Sequence, residues 1–240
     1  MKNETLTILN THTSIRKFND IPIKSEEKQA IIDASLRGAT AGNMMLYSLL
    51  KIERKDNLER LSQWCDNQPF IKTADFGLMV LVDVQKWHQL FNLHGLEDTH
   101  GYKRPEMADF MLGLQDAMIA AQNAVIAAES LAIGTCYIGD ILENYEAIRA
   151  HFNLPDYVVP VTFIVFGHYD HKPVLRKRFE TKHVVFSECY PRVDEAFVNE
   201  MFEGHFKAPD EVVAFFERKR SSDFFNEMNR SIKKYIKHFE

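Results

Sequence analysis

Two groups of cationic and hydroxyl side chains stand far apart in the chain. The first is His12-Thr13-Ser14-Ile15-Arg16-Lys17-Phe18, which sets an imidazole, two hydroxyls and a guanidinium within five positions. Arginine stays protonated at any working pH and offers its donors in a rigid fork. Hydroxyl and imidazole groups add short donors beside it. That chemistry suits a phosphate or another planar anion. The second group is Arg176-Lys177-Arg178. If the fold joins the two, they can clamp one phosphorylated cofactor from both sides.

The elements that must position these groups can be read from the pattern. Residues 4–10 form a short helix with Leu6 and Leu9 on one side. Ser25 reads as an N-cap, with Glu26 and Glu27 favouring the start of a helix that runs to about Leu36 and stops near Gly38. Tyr47 to Arg54 alternates as a strand, and residues 56–64 read as a helix. Gly77 to Val84 and Val158 to Phe166 have the composition of buried strands. Residues 86–107 are polar, hold His88, His94, Asp98, His100 and Pro105, and read as a mobile cover or insertion.

Ala108 to Ile133 is a long helix, apolar nearly all round and therefore read as buried. Its evenly spaced polar groups argue against a membrane span. Its alanines permit close helix contacts, with a subunit interface among the options, and Gly134 ends it. Residues 135–138 are extended, and Asn144 to Phe152 is helical. Beyond Tyr190-Pro191 come helices over 192–203, 209–219 and 222–239. The reading is one α+β domain: residues 1–190, with residues 191–240 as its C-terminal helical extension.

Composition narrows the classes. A chain of 240 residues can bury a full core. A net charge of −5 speaks against a general nucleic-acid or membrane-surface role. The polar N-terminus, Met1-Lys2-Asn3-Glu4-Thr5, contains no signal-peptide core, and Cys65, Cys136 and Cys189 read as reduced thiols, which together predict a cytoplasmic protein. The His94–His100 and His168–His171 stretches match no standard zinc spacing, so no metal site is expected. Arg218-Lys219-Arg220 reads as a solvated helix end. Ala39-Thr40-Ala41-Gly42-Asn43 is a turn of small residues that lets backbone approach a ligand.

An ordered set of pieces carries a resemblance. They are His12 to Phe18, Ala39 to Asn43, Gln68 after a short helix, Ala121-Gln-Asn-Ala124 with Ala127-Ala-Glu-Ser-Leu131, Tyr137-Ile-Gly139, and Leu175-Arg-Lys-Arg178. Together they resemble the FMN-dependent nitroreductase family, and within it the oxygen-insensitive nitroreductase and flavin reductase group. The resemblance implies a nitroreductase-like fold with a central, mainly antiparallel sheet flanked by helices. It implies FMN as cofactor and NAD(P)H as co-substrate, reducing nitroaromatics, quinones or flavins by a ping-pong mechanism.

The resemblance also implies roles. Arg16 would face the flavin ring, with His12, Thr13 and Ser14 toward phosphate and ribityl oxygens. Arg176 and Arg178 would complete the phosphate clamp, and Gln68 would bond the polar edge of the ring. Ile138 and Gly139 would lie along the ring near N5. Thr40, Ala41, Gly42 and Asn43 would reach the flavin of a partner subunit, because family members are homodimers with two interfacial sites. No side chain is implied as a general acid or base, since the flavin performs the redox chemistry. The chain departs from the family pattern at Thr13, often arginine, and at Asp140, often glycine. It also reads Arg176-Lys177-Arg178 in place of Lys-Pro-Arg.

Overall fold

A four-stranded antiparallel sheet with helices on both faces organises the chain, in a computed structural model that describes residues 3–240. Met1 and Lys2 of the polar N-terminus lie outside the described residues. The strands are β1 (Tyr47–Ile52), β2 (Phe76–Asp83), β3 (Gly134–Ile138) and β4 (Val158–Gly167), in the order β1-β2-β4-β3. β2 is buried along its whole length because both its faces are covered. Its Phe76, Leu78 and Val80 point to one core layer, and Met79 and Leu81 to the other. Burying each such side chain contributes on the order of 1.5–3 kcal/mol.

Helices α1 (Glu4–Asn10), α2 (Ser25–Ser35) and α3 (Lys55–Trp64) fall within a few residues of the expected spans. Ser25 is not the cap of α2. Lys24 occupies that position and Glu27 performs the capping, accepting the Lys24 N–H at 3.0 Å. The polar stretch read as a mobile cover folds instead as α4 (Gln85–Leu93) and α5 (Leu96–His100). Trp87 explains why: its indole N–H donates to the Met44 carbonyl at 2.8 Å, and its ring lies 5.9 Å from Phe91 one turn on.

The long helix α6 spans Met107–Ser130. By length and hydropathy alone it would pass for a membrane span. Its small face, Ala117, Ala120, Ala121, Ala124 and Ala128, packs against the sheet and α2 of its own chain. The alanines are therefore core contacts within the subunit. The helix is not buried all round either, since Met107, Met111, Leu112, Met118 and Ile119 remain exposed. It stops before Gly134: Ala132 takes a left-handed conformation (φ 57°) and Ile133 N–H returns to the Ala128 carbonyl at 2.9 Å. Gly134 opens β3 instead.

The remaining helices are α7 (Tyr145–His151), α8 (Glu195–Met201), α9 (Pro209–Arg220) and α10 (Asp223–Ile236). α10 folds back on the main body. Glu227 and Ser231 accept the Asn144 and Tyr145 N–H groups at 3.1 and 3.0 Å and so cap α7. Tyr235 and the following Phe239 are buried against Val82 and Val159. α9 is exposed along its whole length, including Val212, Val213, Phe215 and Phe216.

Candidate anion and ring site

The two cationic groups meet. A cavity of about 450 Å³ is lined by His12 to Lys17 on one side and by His171, Pro173, Val174, Arg176 and Arg178 on the other. No carboxylate lines it, and among the described residues none pairs with Arg16, Lys17, Arg176 or Arg178. Clustered cations without counter-charges repel one another, so the cavity favours an anion. Thr13 lines the same cavity, and its Oγ1 is buried with no hydrogen-bond partner among the described residues. A buried hydroxyl left unpaired costs about 1–3 kcal/mol.

Why residues 12–18 lie here follows from two glycines. Gly134 and Gly167 stand opposite each other in the β3–β4 pair. A Cβ on Gly134 would come within 2.7 Å of Ile15, and one on Gly167 within 2.6 Å of Phe18. The pair of glycines opens a slot for those side chains. Ile15 N–H then donates to the Thr135 carbonyl at 2.8 Å, and Asn19 N–H to His168 at 2.8 Å. The segment is stitched along β3 and the end of β4. Asn19 also bonds Asp170 at 2.9 Å, which brings the 168–171 stretch to the cavity. His171 thereby lines it, a place its type alone did not indicate.

His12 is held from α6. Its Nδ1 lies 2.5 Å from Glu129 Oε1, which leaves Nε2 for a ligand. Glu129 is thus a positioning residue that sequence reasoning quoted only as part of a matching stretch.

Beyond the cavity lies a second group. Cys136 links the two: its thiol is pushed up by burial, while the Arg16 charge and a Ser14 hydrogen bond pull it down and Asp140 pushes it up. Gln68 donates to Asp140 at 2.6 Å. Gly139, between Ile138 and Asp140, is exposed, and a Cβ there would meet nothing within 4 Å. A flat ring can lie against that bare backbone. The Ile138 side chain does not face this space; it belongs to the core layer with Phe163, so only its backbone is on offer. Glu143, 5% exposed, is pushed up to about 8 by burial and by the neighbouring Asp140.

Thr40 to Asn43 is not brought to this cavity within one chain. The loop is anchored further toward the N-terminus of α6, at Asp116, thirteen residues before Glu129. Asp116, 3% exposed, accepts from Thr40 Oγ1 at 2.5 Å, Ala41 N–H at 2.9 Å and Leu46 N–H at 3.1 Å. Gly42, Asn43 and Met45 all have positive φ, near 50°. Left-handed backbone at Asn43 and Met45 persists because that carboxylate fixes both ends of the turn. In the sequence Asp116 is only one of the evenly spaced polar groups of a helix read as buried.

The chain is similar to known proteins in both sequence and fold. The chain is 28% identical over 223 residues to an FMN reductase [NAD(P)H] of Bacillus subtilis, covering 92% of this chain and 85% of the relative. It is 27% identical over 197 residues to an NADPH-flavin oxidoreductase of Vibrio harveyi, covering 80% and 77% respectively. Its fold superposes on the structure of B. megaterium NfrA2 with a TM-score of 0.82 at 23% identity, over 100% of both chains. The model of the nitroreductase family matches residues 9–168, a stretch that begins just before His12 and ends just after β4. By that match the chain belongs to the nitroreductase family.

Proposed function

We propose that this chain is an FMN-dependent oxidoreductase that uses NAD(P)H to reduce nitroaromatics, quinones or flavins. The observation that carries the reading is the unpaired cation cavity lined by Arg16, Arg176 and Arg178, with Thr13 Oγ1 unsatisfied beside it. Arg176 and Arg178, with His12, Thr13 and Ser14, would hold the FMN phosphate and ribityl chain. Arg16 would face the ring, Gln68 would meet its polar edge, and the backbone of Ile138 and Gly139 would lie along it. When bound, FMN supplies the two-electron redox chemistry. The protein's share is to hold the ring against Gly139 and leave one face open to flat molecules. One face serving donor and acceptor in turn gives ping-pong kinetics. The three free thiols suit a cytoplasmic setting.

The purified protein should be yellow, and denaturation should release FMN, not FAD. NADPH or NADH should bleach it under anaerobic conditions, and a quinone or nitroaromatic should restore the colour. Recovery of FAD, or a colourless protein that ignores added FMN, would remove the cofactor assignment. A bound flavin that neither nicotinamide bleaches would make the protein a binding module.

The working unit of this reading is a homodimer with FMN at the subunit interface. The exposed Met107, Met111, Leu112, Met118 and Ile119 of α6 and the uncovered apolar residues of α9 support it. So does the Thr40–Asn43 loop, anchored by Asp116 yet not lining its own chain's cavity. Light scattering at micromolar concentration should give twice the chain mass. A monomer with flavin still bound would contradict the dimer.

A further inference from the structure

Gln68 offers the ring side of the site a carbonyl and no donor. Its Nε2 donates to the Cys65 main-chain oxygen at 3.1 Å and to Asp140 Oδ2 at 2.6 Å. A main-chain carbonyl and a carboxylate are acceptors, so the amide must turn its NH2 toward them. The flipped amide would set oxygen against oxygen at both contacts. Both donor protons of Gln68 are therefore used inside the protein. Its Oε1 accepts no bond among the described residues and is not among the buried unpaired atoms.

We propose that Asp140 is a positioning residue that locks Gln68 with Oε1 turned outward, so that the site selects ring edges presenting an N–H. An unlocked glutamine can rotate its amide and serve either a donor or an acceptor edge. The locked one serves only a donor. The imide N–H of an isoalloxazine meets that demand, and to this extent the inference rests on the FMN reading. Asp140 stands directly after Gly139, where the open space for a ring begins.

Two measurements test the lock. In the apo protein, the Gln68 side-chain amide resonances, assigned by their loss in Gln68→Met, should shift and exchange faster in Asp140→Gly. They should stay close to the parent's in Asp140→Asn, whose carbonyl still accepts. In FMN titrations, Asp140→Gly should weaken binding about five- to tenfold, the effect of one hydrogen bond. Asp140→Asn should stay within about threefold of the parent, a shift small beside a lost bond. In a Gln68→Ala background, Asp140→Gly should change nothing further, because Asp140 acts through Gln68. Unchanged amide resonances in Asp140→Gly, or full additivity of the two substitutions, would overturn the lock. A parent that binds no FMN would sink the cofactor reading alone, and the resonances would still decide the lock.

Discussion

Replacing Arg178 with alanine is expected to weaken FMN ten- to a hundredfold while leaving the melting temperature of the apo protein nearly unchanged. Arg178 lines the cavity, is exposed, and pairs with no carboxylate among the described residues, so the fold does not depend on it. A charge-assisted bond from a guanidinium to a phosphate contributes about 1.5–3 kcal/mol, which converts to that range of affinity. Removing one of several crowded cations also relieves repulsion, which holds apo stability up. Arg178→Lys should recover the charge but only part of the affinity, because an ammonium cannot reproduce the fork. If Arg178 were an ordinary surface cation, affinity and stability would both move by at most about 0.5 kcal/mol. Titration of FMN into the parent and both apo variants decides: equal dissociation constants would take Arg178 out of the site.

Asp116→Ala should act in the opposite way, lowering stability first. The substitution strips three donors of their acceptor: Thr40 Oγ1, Ala41 N–H and Leu46 N–H. Bonds to a buried carboxylate contribute about 1.5–3 kcal/mol each, and they do not add fully because the freed loop relaxes. A loss of about 3 kcal/mol corresponds to a melting temperature lower by roughly 6–12 °C in a chain of this size. With the anchor gone, the left-handed conformations of Asn43 and Met45 have nothing to sustain them, and the turn should lose its shape. Asp116→Asn keeps one oxygen but turns an NH2 toward donors, so it should recover less than half of the loss. A melting temperature within about 1 °C of the parent would show that the loop holds itself.

What the sequence disclosed, and what it kept back, divides along a physical line. Local periodicity was enough for β2, whose unbroken apolar run announced burial on both faces, and for α10, whose Phe225, Met228, Ile232 and Tyr235 recur at helical spacing. Residue chemistry was enough for the two halves of the cation cavity. The partners of buried polar groups were not legible, because they are set by tertiary contacts between remote segments. Glu129 reaches His12 and Asp116 reaches Thr40 only once α6 lies on the sheet. The opposed Gly134 and Gly167 were invisible as a pair, since nothing in a sequence gives strand register. The polar segment after β2 did carry a signal, Trp87 and Phe91 one helical turn apart, but its histidines and acids drew the reading toward a solvated cover.

The slot made by those two glycines has a consequence for the order in which the molecule is made. A ribosome delivers Ile15 and Phe18 long before it delivers the strands that receive them. Until Gly134 and Gly167 have emerged and paired, the first-made half of the cation cavity has no surface to rest on. Arg176 and Arg178 emerge later still. Closing so long a loop carries an entropic cost that only the finished sheet can offset. On the proposed reading, the nascent chain gains a grip on phosphate only after β4 and the arginines just after it have been made. Cofactor capture at this cavity would then be a checkpoint on assembly: a chain that holds the anion has already placed His12 to Phe18 against the finished sheet.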